Sequence, residues 1–153
     1  MIVVAIIGLV AAMGLPSMIM ALHKEGLRKA VSDLQDVCSE ARAQAIFSNQ
    51  KMAVVFHPAE RRFEVEGAAA SGSADATDKS SGKVTGTILP DAVDLAMLDI
   101  NLQDYGASEW ARVFFYPNGT SDEMTVVLHS KDEWRKITLE FSTGMTFVSD
   151  VNQ

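Results

Sequence analysis

From Met1 to Leu22 the chain reads MIVVAIIGLVAAMGLPSMIMAL without one charged side chain, and His23 and Lys24 follow directly. A bilayer core about 30 Å thick takes roughly 20 apolar residues at about 1.5 Å each, so the run predicts a membrane-spanning helix. A cleavable secretory signal carries a basic n-region and a shorter apolar core; nothing basic precedes this run. Pro16 is tolerated in such a helix, and Gly8 and Gly14 are points where another helix can approach closely. After the run the pattern turns amphipathic. Leu27, Val31, Leu34, Cys38, Ala41 and Ala45 recur at alternating spacings of four and three, with Lys29, Asp33, Gln35, Asp36, Glu40, Arg42 and Gln44 between them. Together the two stretches predict one helix of about 48 residues, on the order of 70 Å long. Its second half docks a narrow stripe on the chain's own domain, since the heptad-like pattern is too short for a coiled coil. Glu25 and Lys29 stand at favourable helix-pair spacing.

From Met52 the period changes to two. MAVVFH (52–57) and RFEVE (62–66) predict a hairpin joined by PAER, with Phe63 and Val65 facing inward and Arg62, Glu64 and Glu66 outward. Residues 67–83 are small and polar and predict a mobile loop. VTGTIL (84–89) resumes strand character, while DAVDLAMLDINLQDYGASE fits either a helical turn or two or a strand at LDINL. WARVFFY (110–116), apolar on both faces, predicts a central strand, and PNGT (117–120) a turn between two strands. MTVVLH (124–129), RKITLEF (135–141) and MTFVS (145–149) predict an antiparallel meander, with Ile137, Leu139 and Phe141 on the buried side. The expected fold is therefore α+β: a long N-terminal helix packed on an antiparallel sheet or sandwich. Three segments follow: a hydrophobic half-helix 1–22, an amphipathic half 23–50, and a β domain 51–153.

Charge is unevenly placed. Residues 1–50 hold four Lys/Arg and four Asp/Glu, so the whole net charge of −7 falls on residues 51–153. An acidic domain repels phosphate backbones and argues against nucleic acid as a partner. Chemistry is sparse. His23, His57 and His129 pair with no second His or Cys at metal-ligand spacing, and no nucleophile elbow, P-loop or dinucleotide fingerprint occurs. Asp91, Asp94, Asp99 and Asp104 read as a solvated acidic surface, Cys38 as a small apolar residue of the helix, and Asn118-Gly119-Thr120 as a turn. No catalytic, cofactor or metal site is expected.

The run VVAIIGLVAAMGLPS resembles the hydrophobic helix of type IV pilins and type II secretion pseudopilins. The resemblance continues through LRKAVSDLQDVCSEARAQAIFSNQ. FFYPNGTSD and STGMTFV resemble the H-type minor pseudopilins and FimT-like pilins, with Phe115, Pro117, Gly119 and Gly144 at the motif positions. This resemblance implies a type IV pilin-like fold and a structural, non-enzymatic minor pseudopilin, with a FimT-like minor pilin of pilus assembly or DNA uptake as the alternative. It implies anchoring and fibre packing through Ile2, Ile6, Ile7, Gly8, Leu9, Gly14 and Pro16. It implies a single pass through the bacterial inner membrane with the C-terminal domain periplasmic. The partners implied are membrane lipid, other minor and major pseudopilins, the inner-membrane assembly platform and prepilin peptidase. Lys24, Arg28 and Lys29 taken alone would place the C-terminal domain in the cytoplasm. The resemblance implies the opposite, with a basic leader as the cytoplasmic segment. In-frame codons upstream of Met1 are accordingly expected to encode that leader, its glycine, an N-methylated aromatic or Met residue, and a glutamate. Further contacts are expected from the exposed face of 23–50, through Glu25, Arg28 and Asp33, and from the loop 67–83.

Overall fold

The computed structural model describes the backbone of residues 2–67, 86–131 and 133–151, and the side chains among them from Glu25 onward. Among the described residues, one helix, α1 (Ile2–Ser48), is followed by nine strands: β1 (Met52–His57), β2 (Arg62–Glu66), β3 (Gly86–Ile88), β4 (Asp94–Ile100), β5 (Gln103–Asp104), β6 (Ala111–Phe115), β7 (Met124–Ser130), β8 (Glu133–Leu139) and β9 (Thr146–Asp150). They form two antiparallel sheets, one ordered β3-β2-β1-β6 and the other β5-β4-β7-β8-β9. The helix packs chiefly on β1, β2 and β7, so both sheets share one core with it.

The α1 residues that enter this core are Leu27, Val31, Leu34, Cys38, Ala41 and Ala45, widened by Ala30 and Val37. Small side chains at 30, 41 and 45 let the sheet backbones come close to the helix axis. The four-stranded sheet contributes Val54, Phe56, Phe63, Val65, Val113 and Phe115; the five-stranded sheet contributes Leu98, Val126, Leu128, Ile137 and Leu139. Burial alternates along β2, β6 and β7, as one-sided sheets require.

The structure decides one open reading and corrects several others. The ambiguous 91–109 segment holds strands, β4 and β5, and no helical turn: Leu98 and Ile100 are buried two apart, and β7 pairs along β4. WARVFFY is not a central strand, because β6 is the outer strand of its sheet and β1 is the inner one. The double-sided apolar pattern there has another cause. Phe114 faces outward under the Lys51 ammonium, 3.4 Å from the ring centre, and the Arg112 guanidinium lies 4.9 Å from the Trp110 ring. PNGT is a turn, but its flanking strands lie in different sheets, so the chain changes sheet there. Phe141 lies beyond the end of β8 in a turn and is 62% exposed, so the inward alternation stops at Leu139. The 67–83 loop expectation lies outside the described residues after Gly67.

Candidate functional site

The residues singled out by sequence fall in three places. Ile2, Ile6, Ile7, Gly8, Leu9, Gly14 and Pro16 lie on the first half of α1, whose backbone is helical throughout; their side chains are outside the described residues. Among the residues whose side chains are described, which begin at Glu25, no helix is long and apolar enough to cross a membrane. Leu27, Val31, Leu34, Cys38 and Ala41 are buried on the second half. Burial pushes the Cys38 thiol up from 9.0 to about 12, because nothing nearby solvates a thiolate.

The third place is built from two turns and one helix side chain. In the first turn, Gly119 N–H donates to Tyr116 O (2.9 Å) and Tyr116 N–H donates to Thr120 O (2.9 Å). Asn118 Oδ1 accepts from the Thr120 hydroxyl at 2.8 Å and from its N–H at 3.2 Å, so the asparagine closes the turn. In the second turn, Gly144 N–H donates to Glu140 O (2.8 Å) and Glu140 N–H to Met145 O (3.0 Å). Ser121 stitches the two together, its N–H on Phe141 O at 3.0 Å and its hydroxyl on Glu140 O at 3.3 Å. Arg42 reaches out from α1 to this junction and donates from Nε to Gly119 O at 3.3 Å. Both glycines are required here. Gly119 has φ +86° and Gly144 φ +61°, and a Cβ on Gly144 would stand 2.8 Å from Gly119 O and 3.0 Å from Arg42 Cδ. Phe115 is fully buried at the end of β6, immediately before this junction.

Arg42 is the residue that sequence reasoning missed, having placed it among the polar positions. Its signal was local: it follows Ala41 and precedes Ala45, two small residues on the docked face that leave room for a guanidinium and two backbone turns. Arg61, in the β1–β2 turn at φ +55°, was missed in the same way. Its Nη2 donates to Pro90 O and Val93 O, each at 2.6 Å, and its guanidinium lies 3.9 Å from Asp91 and 4.0 Å from Asp94. Half of the acidic series is thereby drawn to one arginine, while Asp99 and Asp104 oppose each other across β4 and β5.

Asp33 is corrected. It was expected on the free helix face, but it is half-buried, accepting from Lys29 Nζ at 2.8 Å and from the Thr87 hydroxyl at 3.2 Å. It thus pins β3 to the helix and takes the lysine that helix spacing alone assigned to Glu25. Glu25 and Arg28 are exposed. His57 ends a strand of one sheet, 3.8 Å from Glu64; His129 lies on the other sheet, its ring 4.7 Å from that of Trp134 and tilted 37° to it. Among the described residues no three His, Cys, Asp or Glu side chains converge on a point. A cleft lined by Leu34, Phe56, Phe63, Leu128 and Arg61 measures about 10 Å³, room for one water at most.

A long helix, a four-stranded and a five-stranded antiparallel sheet, and motif turns locked to the helix define the type IV pilin-like α+β fold. Two solved structures share it: the minor pseudopilin EpsH from the type 2 secretion system of Vibrio cholerae, and the type IV minor pilin FimU of Pseudomonas aeruginosa. EpsH matches with a TM-score of 0.57 at 17% identity, over 85% of this chain and 97% of its own. FimU matches with a TM-score of 0.57 at 17% identity, over 82% of this chain and 90% of its own. At that identity the likeness establishes the fold. No protein-family profile and no curated protein matches the chain.

Proposed function

We propose that the chain is a structural minor pseudopilin of a type II secretion system. In this reading the first half of α1 holds it in the bacterial inner membrane, the domain lies in the periplasm, and the helix is later drawn into the pseudopilus. The observation that carries the proposal is the division of α1. Its second half is consumed by the domain through the buried stripe, while the sequence of its first half has no charge and no polar face. A helix apolar all round is stable in lipid or among equivalent helices in a fibre core, and in few other settings. The partners in this reading are membrane lipid, sibling pseudopilins, the assembly platform and the prepilin peptidase. His57 and His129, placed on separate sheets, give no support to an enzymatic role.

A minor subunit of a type IV pilus is the second reading, favoured by the equal TM-score of FimU. Deletion of the gene in its host, complemented with wild type or Ile6→Arg, tests both. Loss of exoprotein secretion, restored by wild type and not by Ile6→Arg, supports the pseudopilus. Loss of surface pili with secretion intact supports the second reading. Neither defect would contradict both.

A further inference from the structure

An exposed sheet edge presents unpaired N–H and C=O groups and is normally blunted. Among the described residues, three of the four sheet edges are. β3 is three residues long and β5 two. The outer side of β6 is closed by the returning chain: Asp122 N–H donates to Phe114 O at 2.9 Å, and Phe114 N–H donates to Asp122 Oδ2 at 3.0 Å. The fourth edge, β9, is five residues long, contains no proline and pairs with β8 without a bulge.

The phase of its hydrogen bonds follows from the two ends of the ladder. Glu140 N–H meets Met145 O at 3.0 Å, and Val151 N–H meets Trp134 O at 3.3 Å. Antiparallel alternation then turns the backbone groups of Phe147 and Ser149 toward β8 and those of Thr146, Val148 and Asp150 outward. Among the described residues no backbone hydrogen bond closes that side.

Beside the open edge runs a groove of about 230 Å³ between α1 and β9, lined by Arg28, Val31, Ser32, Gln35, Arg135 and Val148. Thr146 and Val148 stand opposite Leu139 and Ile137, whose side chains are buried, so they share the helix-facing side, and Gln35 Nε2 donates to the Thr146 hydroxyl at 3.5 Å. Two guanidiniums in one groove are notable in a chain of net charge −7. Arg135 is tied to Asp150, whereas Arg28 is exposed and forms no ion pair with another described residue.

We propose that β9 accepts a sixth strand from a partner protein. The incoming segment is extended, alternates apolar and polar side chains, and points a carboxylate into the groove at Arg28 and Arg135. Main-chain hydrogen bonds to Thr146, Val148 and Asp150 supply affinity, and the groove between the arginines and Val31 selects the side chains. A second copy of this chain fits less well. Its own β9 brings one carboxylate, Asp150, which is already engaged by Arg135.

The test uses the full chain in detergent micelles and a short fluorescent peptide alternating threonine and valine around a central glutamate, with a lysine twin. The glutamate peptide binds about tenfold more tightly than its twin, as charge complementarity with the two guanidiniums requires. Val148→Pro removes an outward N–H at a position where an edge strand tolerates proline, and it weakens the peptide about tenfold with an unchanged unfolding midpoint. Arg28→Glu, at an exposed helix position, reverses the preference between the twins. Equal binding of the twins, no binding, or indifference to both substitutions would overturn the proposal. So would a dimer of the chain, seen by light scattering, that Val148→Pro dissolves, since the occupant would then be a second copy. None of these measurements involves a filament, so a failure here leaves the secretion experiment untouched.

Discussion

Arg42 brings its guanidinium to a junction of two backbone turns, and the carbonyl of Gly119 accepts a hydrogen bond from its Nε. The two glycines at that junction are under different constraints, which separates their predicted costs. An alanine at Gly119 meets only ordinary contacts, 3.6 Å from Arg42 Nη2 and 3.7 Å from Ile46 Cδ1, so the cost is the left-handed backbone, about 1–2 kcal/mol. An alanine at Gly144 adds a backbone collision with Gly119 O and costs about 3 kcal/mol or more. Urea unfolding of the two variants checks the order, which a larger loss in Gly119→Ala would reverse. Cys38 gives a second prediction at this scale. Its thiol is neutral in the fold up to about 12, while the unfolded chain ionises it from 9.0. Its contribution to stability is constant below pH 9.0 and falls as pH rises from there to about 12, because only the unfolded state releases the proton in that window. The difference between the wild-type and Cys38→Ala pH–stability curves should show that slope. In the native protein the thiol should resist alkylation until denaturant is added.

At the scale of elements, the stripe on α1 predicts that Leu34→Ala costs about 2–5 kcal/mol, since the side chain is fully enclosed between helix and sheets. A denaturation midpoint within error of wild type would contradict the packing. The helix, the first hairpin and the β7–β9 meander were legible in the sequence because each carries a clean period, 3.6 or 2, and a short turn. β4 was not, because Val93, Ala96, Met97 and Ile100 match helical spacing as well as Leu98 and Ile100 match a strand; pairing with β7 decides between them. The edge position of β6 was hidden because Phe114 and Trp110 look buried in sequence, yet cations cover their rings from outside. The junction at Arg42 was half legible. The glycine turns were marked by composition, but their convergence joins residues 77 apart along the chain, a contact that no local pattern encodes. Asp33 misled for the same reason, its partner Thr87 being 54 residues away.

For the whole molecule, the account rests on a division of labour along one helix, with an apolar half for lipid or fibre and an amphipathic half for the domain. The net charge of −7 falls on residues 51–153, so phosphate backbones are repelled by the domain rather than attracted to it. Ile6→Arg places a charge inside the apolar half and should cost up to about 2.5–3.5 kcal/mol of insertion, the value at a helix centre, leaving the domain's own unfolding midpoint unchanged. The most direct test is alkaline carbonate fractionation of the full-length chain expressed in bacteria. The account predicts that wild type stays in the membrane pellet and is released by detergent alone. Recovery of wild type in the carbonate supernatant would contradict it.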